Sequence, residues 1–332
     1  MTSYRSTNAI KRVAIIGGGV IGSGWAARCL ARNIDVVVFD PDDDAQSRLD
    51  AALDLAWQTL YDAGRTTTPE RPAVAVVSSL AEAVSDADFV QECIPEREEL
   101  KITLFEELGG LVPADVVLAS STSGLLPSRL QSRCKHPDRL VVGHPFAPVY
   151  LLPLVEIVRG EHSTIDAAKA AGDFYTDLGM RPLYVRKEIE AFVADRLQDA
   201  LYREALHLIN DGVASVEEID AAITGGPGMR WAFMGTFMAW HLGGGPGGMR
   251  HTIDQFGPML DLPWSKLVPP KLTDELKSRI VDGCEREAGA REFSDLEKRR
   301  DQCLIAIQKA LDEYWYPSEE DGWPAFDRDV LE

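Results

Sequence analysis

Cysteine is scarce in this sequence, and no two cysteines form a close pair. The chain of 332 residues contains five, namely Cys29, Cys93, Cys134, Cys284 and Cys303. Their odd number and wide spacing, without a Cys-x-x-Cys motif, argue against a disulfide framework and a zinc site. We therefore predict a protein that binds no metal and works in a reducing compartment, the cytoplasm.

Long hydrophobic runs are also missing. The most apolar stretch near the N-terminus, residues 13–22, has the sequence VAIIGGGVIG. It is broken by glycine and is shorter than the roughly 20 apolar residues of a membrane-spanning helix. It is also too short for the apolar core of a secretory signal. The sequence therefore predicts no association with a membrane.

Positive charge is in short supply. The chain has 34 lysines and arginines against 53 aspartates and glutamates, a net charge of −19 at pH 7. Such a protein repels nucleic acids and anionic membrane surfaces, so we expect neither as a partner. A polyanionic substrate is disfavoured less strongly, because a local basic pocket can override the mean field.

In the first half of the chain, short apolar runs alternate with amphipathic stretches. This alternation predicts a mostly parallel sheet with helices on both faces, within an α/β domain spanning residues 1–187. Strands are predicted at 12–16, 35–39, 86–92, 116–119, 140–144 and 181–185, and helices from a glycine-rich turn to about residue 33 and over 97–108.

From residue 188 onward the pattern becomes helical. Apolar residues recur at helical spacing over 188–211, which predicts one helix of about six turns. Further helices are predicted at 215–223, 273–288 and 293–313, with a glycine- and aromatic-rich stretch through residue 248. The second domain, residues 188–332, is therefore expected to be all helical.

A glycine-rich turn directly follows the first predicted strand and directly precedes a helix. Its sequence, GGGVIG, has the Gly-x-Gly-x-x-Gly spacing of a dinucleotide-binding turn. We predict that Gly17 permits the tight turn, Gly19 lets the backbone approach the pyrophosphate, and Gly22 lets helix and strand pack closely. Val20 and Ile21 begin the helix, whose N-terminus receives the phosphates.

Asp40 closes the second predicted strand. A carboxylate there can accept hydrogen bonds from the adenosine ribose hydroxyls and repels a 2′-phosphate, so we predict NAD as the cofactor rather than NADP. The alternative is that Asp40 is only a turn residue ahead of Pro41. Because strand, glycine turn, helix and acid agree, we predict a Rossmann-type domain followed by the helical domain.

Four further runs accompany the glycine turn. They are ASSTSGL (119–125), GHPFAPV (143–149), PLVEIV (153–158) and EAFVADRL (190–197). Together they resemble the 3-hydroxyacyl-CoA dehydrogenase family over nearly the whole chain. The resemblance implies NAD-dependent oxidation of a secondary alcohol and a homodimer formed through the helical domain. Lambda crystallin resembles the same family, so an NAD-binding structural protein is an alternative of a different class.

The resemblance also implies roles for individual residues. His144 matches the catalytic acid–base and Glu156 its orienting partner, while Ser123 matches the residue that binds the substrate oxygen. Glu96 and Lys101 match positions near the nicotinamide and its ribose.

The chemistry of these residue types agrees with the implied roles. Oxidation of a secondary alcohol needs a base for the hydroxyl proton, and the unperturbed histidine pKa of about 6.5 suits that task. A carboxylate fixes the tautomer of the ring and stabilises the imidazolium, and a serine hydroxyl can donate to the developing oxyanion. The alternatives are a structural strand-end histidine for His144, a solvated strand charge for Glu156, and a helix N-cap for Ser123.

The chain departs from the family pattern at two positions. Asp195, which we count among the catalytic candidates, stands where most of the family has asparagine, and an ionised carboxylate cannot donate a hydrogen bond. Asp195 either supplies negative charge to a cationic substrate group or pairs with a nearby arginine or protonated histidine. Ala147 replaces a second asparagine, which removes one polar contact near the nicotinamide.

Within the family, the closer resemblance is to members that act on L-carnitine, in the runs SSTSGLLPS, VYLLPLVE, KEIEAFVADRL and GMRWAFMG. It implies oxidation of the 3-hydroxyl of L-carnitine, with 3-hydroxyacyl-CoA and L-gulonate as alternative substrates. Aromatic faces bind quaternary ammonium groups, which makes Phe146, Trp231 and Phe233 candidates for that end and Arg230 a candidate for the carboxylate. The alternative is that the apolar stretch 228–241 is core or dimer interface.

Overall fold

The computed structural model of the protein describes residues 4–257, 273–288 and 290–315, together with residues 262, 265, 266, 268, 270 and 271. These residues form two compact units, and the boundary between them falls between Asp195 and Arg196. That boundary lies shortly after the predicted one at 187/188. Residues 316–332 of the predicted second domain lie outside the described residues.

The first unit is built on an eight-stranded sheet. Its strands are β1 (Arg12–Ile16), β2 (Asp35–Phe39), β3 (Ala75–Val77), β4 (Phe89–Glu92), β5 (Val117–Ser120), β6 (Leu140–Pro145), β7 (Leu154–Arg159) and β8 (Arg181–Val185). Their spatial order is β3-β2-β1-β4-β5-β6-β7-β8. All neighbours are parallel except β6 and β7. The prediction of a mostly parallel sheet is confirmed.

Helices cover both faces of this sheet, because its central strands are apolar on both sides. All four residues of β5, for example, are buried. The hydrophobic core on one face includes side chains of α1 (Val20–Leu30), α2 (Ala45–Asp62) and α6 (Ile165–Asp177). The core on the other face includes side chains of α3 (Leu80–Val84), α4 (Glu98–Leu111) and α5 (Pro127–Leu130). Buried parallel strands require this two-sided cover.

Six elements of the first unit were not assigned from the sequence, namely β3, β7, α2, α3, α5 and α6. Of these, β7 matters most for function, because it returns antiparallel beside β6 and places Glu156 directly opposite His144. Residues that face each other in an antiparallel pair point to the same side of the sheet. The two side chains can therefore meet although they lie in different strands.

In the described part of the second unit, every regular element is a helix. The α-helices are α7 (Ala194–Asn210), whose first residues belong to the first unit, α8 (Val216–Thr224), α9 (Pro227–Trp231), α10 (Thr236–Gly243), α11 (Gly248–Phe256), α12 (Asp274–Ala288) and α13 (Phe293–Ala310). A capping box of Ser215 and Glu218 starts α8. Nowhere in the described chain is a helix both long and apolar enough to cross a bilayer.

The helix predicted over residues 188–211 begins only at Ala194, so that prediction was wrong at its start. Ala191 and Phe192 have φ angles of 58° and 46°. This left-handed backbone conformation is unfavourable for L-residues and cannot belong to a right-handed helix. The chain therefore makes a turn at these residues, directly before α7.

Candidate active site

The three glycines of the turn between β1 and α1 have different surroundings. Gly17 has a φ of +108°, and a side chain there would bring its Cβ within 2.6 Å of the carbonyl oxygen of Cys93. A Cβ on Gly22 would overlap the carbonyl oxygen of Gly17. A Cβ on Gly19, in contrast, would meet nothing within 4 Å. The backbone at Gly19 is therefore open to a ligand, while the other two glycines permit the tight turn and its packing.

A cavity of about 890 Å³ adjoins this turn, and Gly17, Gly19 and Asp40 line it. Asp40 accepts hydrogen bonds from the backbone N–H of Gly18, at 2.9 Å, and of Asp42, at 3.1 Å. Asp40 is therefore a turn residue and also a wall of the cavity. Open backbone at a helix N-terminus, a carboxylate and a cavity in one place fit the pyrophosphate and ribose of NAD.

Lys101 is fully buried and lies in an ionic cluster with two glutamates. Its Nζ is 2.6 Å from Oε1 of Glu92 and 3.3 Å from Oε2 of Glu96, and it donates to the carbonyl oxygen of Ile94 at 3.1 Å. Burial raises the pKa of Glu92, and Lys101 opposes that rise. Among the described residues, Lys101 therefore contacts two carboxylates and one backbone carbonyl. Ser120 also donates to Glu92.

Glu96 links this cluster to the loop that contains Ser123. Its Oε1 accepts from the backbone N–H of Ser123 at 3.0 Å and from the hydroxyl of Thr122. Thr122 in turn accepts from the backbone N–H of Leu125 at 3.0 Å. The Ser123 side chain is exposed. Since α5 starts at Pro127 with Leu126 as its N-cap, Ser123 does not cap that helix.

His144 and Glu156 form a buried pair. Nδ1 of His144 is 2.9 Å from Oε2 of Glu156, and the two side chains are 4% and 0% exposed. The predicted partners are thus within hydrogen-bond distance. A carboxylate on Nδ1 leaves Nε2 of the ring for a second ligand.

The second oxygen of Glu156 binds the start of α7. Its Oε1 accepts hydrogen bonds from the backbone N–H groups of Val193 and Ala194, each at 3.0 Å. The left-handed turn at Ala191 and Phe192 immediately precedes these two donors. These two donors fix the carboxylate of Glu156, so its other oxygen is held beside the ring of His144.

Asp195 lies on the other side of the His144 ring. Its Oδ2 is 3.6 Å from Nε2 of His144, and its side chain is 26% exposed. Burial raises the pKa of Asp195, the charge of Glu156 raises it further, and a charge on His144 opposes the rise. The distance is longer than a normal hydrogen bond. It is compatible with both hypotheses for Asp195.

Two aromatic rings border the histidine. The ring centroid of Phe146 is 4.7 Å from that of His144, and the centroid of Phe192 is 5.6 Å away on a ring that is fully buried. Gly124, next to Ser123, accepts a hydrogen bond from the N–H of Ala191 at 3.4 Å. This hydrogen bond connects the loop that contains Ser123 to the turn before α7.

The remaining substrate candidates belong to the second unit. Arg230 and Trp231 end α9 and are exposed, and Phe233, just after it, is partly buried. Their assignment to the substrate stays a prediction.

Sequence reasoning missed Glu92, Thr122 and Phe192. A glutamate inside the apolar run DFVQE was a usable signal for Glu92, because an acid in a buried strand needs a partner. Thr122 and Phe192 offered no comparable signal, since their contacts depend on distant backbone.

Comparison with known proteins places the chain in a family context. Residues 12–189 match the family described as 3-hydroxyacyl-CoA dehydrogenase, NAD binding domain, and residues 192–277 match the C-terminal domain of 3-hydroxyacyl-CoA dehydrogenase. The L-carnitine dehydrogenase of Oceanobacillus iheyensis is 50% identical over 92% of this chain and all of its own length. That of Pseudomonas aeruginosa is 51% identical over 92% of this chain and 95% of its own length.

Solved structures agree with this fold. The NAD-dependent 5-formyl-3-hydroxy-2-methylpyridine 4-carboxylic acid 5-dehydrogenase superposes with a TM-score of 0.77 at 26% identity, covering 91% of this chain and 99% of that one. FadB2 of M. tuberculosis superposes with a TM-score of 0.63 at 28% identity, covering 82% and 94%.

Proposed function

The chain belongs to the 3-hydroxyacyl-CoA dehydrogenase family, and we propose that it oxidises the 3-hydroxyl of L-carnitine to the ketone, with NAD as cofactor. Support for the reaction class comes from the two matched domains. Support for the substrate comes from relatives named L-carnitine dehydrogenase, about half identical over more than nine-tenths of the chain. The observation that carries the chemistry is the buried His144–Glu156 pair, 2.9 Å apart.

In this proposal His144 is the general base. Glu156 holds the proton of Nδ1, so Nε2 is free to take the proton of the substrate hydroxyl. The resulting imidazolium is stabilised by Glu156, which the N–H groups of Val193 and Ala194 hold in place. Bound NAD supplies the acceptor for the hydride that leaves the carbinol carbon.

Ser123 is proposed to bind the substrate oxygen. Its hydroxyl is exposed, and Glu96 holds its backbone N–H. A hydroxyl in a loop fixed in this way can donate to the negative charge that develops on the oxygen.

We further propose that Asp195 recognises the ammonium group. In carnitine this group is one methylene away from the carbinol carbon. A carboxylate 3.6 Å from Nε2 of His144 is therefore close to the charge of a substrate whose hydroxyl is bound to Nε2. Phe146 offers an aromatic face beside the same histidine. Arg230, Trp231 and Phe233 stay candidates for the remaining substrate contacts.

A homodimer in the cytoplasm completes the proposal. Helix α10 presents Phe237, Met238, Trp240 and Leu242 with roughly half or more of each residue exposed, and such apolar patches are typical of protein interfaces. Cys29, Cys93, Cys134 and Cys303 are free thiols, which agrees with a reducing compartment. Light scattering during size exclusion tests the dimer, and a monomer mass at assay concentration would contradict it.

The decisive assay follows NADH formation by absorbance at alkaline pH. The substrates are L-carnitine, D-carnitine, 3-hydroxybutyryl-CoA and L-gulonate. We expect turnover of L-carnitine and little of the others. Turnover of the CoA ester with carnitine silent would refute the substrate but leave the roles of His144 and Glu156 in place. Absence of turnover with every substrate would favour a structural protein of the lambda-crystallin kind.

A further inference from the structure

The wall of the cofactor cavity beside Asp40 contains an arginine. Asp42, in the turn after β2, and Arg48, in the first turn of α2, line this cavity together with Asp40. The adenosine ribose of NAD belongs at this wall, because an acid at the end of the second strand binds that ribose. An arginine in this place is unexpected for an NAD enzyme, since arginine accommodates the 2′-phosphate of NADP.

Arg48 is paired with an acid of the same wall. Its Nη2 is 2.9 Å from Oδ2 of Asp42, and the two side chains are 54% and 52% exposed. The other oxygen of Asp42, Oδ1, accepts from the backbone N–H of Asp44 at 3.0 Å. This bond, and after it the bond from Arg48, lower the pKa of Asp42. An ionised carboxylate that is fixed by the turn therefore holds the guanidinium.

Stability of the turn gives little reason for this pair. An exposed ion pair contributes little to folding, because water screens both charges. A cation in the first turn of a helix is moreover disfavoured by the positive end of the helix dipole. The pair lies instead where a nucleotide is expected to bind, which indicates a function in recognition of the cofactor.

We propose that Asp42 is a second determinant of the preference for NAD over NADP, because it holds Arg48 in an ion pair and keeps the guanidinium from binding a 2′-phosphate. The first determinant is Asp40, whose carboxylate repels that phosphate. Asp42 adds a second negative charge to the same wall. An arginine released from its acid binds phosphate oxygens through paired N–H donors. The inference concerns the cofactor and does not depend on which alcohol is oxidised.

Fluorescence titrations of the full chain with NADH and with NADPH test the proposal. The measured quantity is the ratio of the Kd for NADPH to the Kd for NADH. In Asp42→Asn the amide oxygen can still accept from the N–H of Asp44, but the charge that holds Arg48 is gone. We expect the ratio to fall by at least about tenfold, because the released arginine forms a charge-assisted contact with the 2′-phosphate.

A double variant separates the two effects of removing the carboxylate. If the released Arg48 binds the phosphate, Asp42→Asn combined with Arg48→Gln should return the ratio to within about threefold of the wild-type value. Asp43→Asn is the matched control, because it removes the same charge from an exposed residue of the same turn that does not line the described cavity. It should change the ratio by less than about threefold, because exposed charges are screened.

The outcomes distinguish the proposal from simpler explanations. An unchanged ratio in a folded Asp42→Asn protein would overturn it, and a lowered Tm with that unchanged ratio would assign the pair to the turn alone. An equal gain in Asp42→Asn and in the double variant would also overturn it, because the loss of one negative charge then explains the gain without the arginine. Absence of NADH binding by the wild type would contradict the cofactor itself, which is a different failure.

Discussion

The cofactor turn and the proposed catalytic pair, His144 and Glu156, belong to the same unit but are assembled in different ways. The turn is made from contiguous backbone, residues 17–22, which follow β1 and include the first residues of α1. The catalytic pair joins side chains of β6 and β7 to the N–H groups of Val193 and Ala194. A motif made of backbone should keep its structure through most side-chain substitutions. The His144–Glu156 pair, in contrast, should lose its proposed function when either side chain is replaced.

Replacing the histidine gives the largest expected effect. His144→Ala removes the proposed base, and we expect kcat to fall by about 10³- to 10⁴-fold. NAD binding should not change, because the cofactor turn contains no side chain of the pair. Stopped-flow turnover and a fluorescence titration with NADH measure the two quantities. A variant that loses NADH binding as much as turnover would show that the two regions are not separable.

The orienting carboxylate comes next. In Glu156→Gln, one amide oxygen can still accept from Val193 and Ala194, but the NH₂ group then faces Nδ1 of His144. The ring must accept there and carries its proton on Nε2, so it cannot act as a base. We expect kcat to fall by about 10²- to 10³-fold with a small change in Tm. A large loss of Tm with nearly normal kcat would instead make Glu156 a structural residue of α7.

A substitution in the cofactor turn should change the binding of NAD, whereas the substitutions of His144 and Glu156 change kcat. A side chain at Gly19 fills the open space beside the helix N-terminus, so Gly19→Val should raise the KM for NAD by about tenfold or more while Tm changes little. The matched change Gly22→Val should prevent folding, because the new Cβ overlaps the carbonyl of Gly17. An unchanged KM for NAD in a folded Gly19→Val protein would contradict the position of the pyrophosphate.

The smallest effect concerns the charge at Asp195. The matched substrates are L-carnitine and its neutral isostere, 3-hydroxy-5,5-dimethylhexanoate, in which a tert-butyl group replaces the trimethylammonium. Asp195→Asn should lower the preference for carnitine by about tenfold in kcat/KM. A preference that stays unchanged in the variant would leave Asp195 as a partner of His144 only.

The preference for carnitine, measured as the ratio of kcat/KM for L-carnitine to kcat/KM for the neutral isostere, should depend on pH. Burial raises the pKa of Asp195, so the carboxylate takes up a proton and loses its charge at a higher pH than an ordinary aspartate does. The preference for carnitine should therefore fall as the pH drops through this raised pKa, and it should stay flat in Asp195→Asn. Protonation of His144 cancels in the ratio, because both substrates need the same base.

Local pattern predicted much of the first unit and less of the site. The strands β1, β2 and β8 have the predicted limits, since each is a short apolar run with clear ends. The strand β7 was not assigned, because its antiparallel pairing with β6 is not a local property. The helix predicted from residue 188 was wrong at its start, since the apolar spacing gave no sign of the left-handed turn at Ala191 and Phe192.

By itself, the sequence determined the parallel sheet, the helical second unit and the dinucleotide turn, because these follow from short-range periodicity and from the steric needs of glycine. Only the tertiary structure decided which side chains meet. The contact of Glu156 with His144, the N–H groups that hold Glu156, and the place of Asp195 beside Nε2 all depend on strand register and one backbone turn. Charges act over distances in space, and the distances between residues far apart in the chain are set by packing.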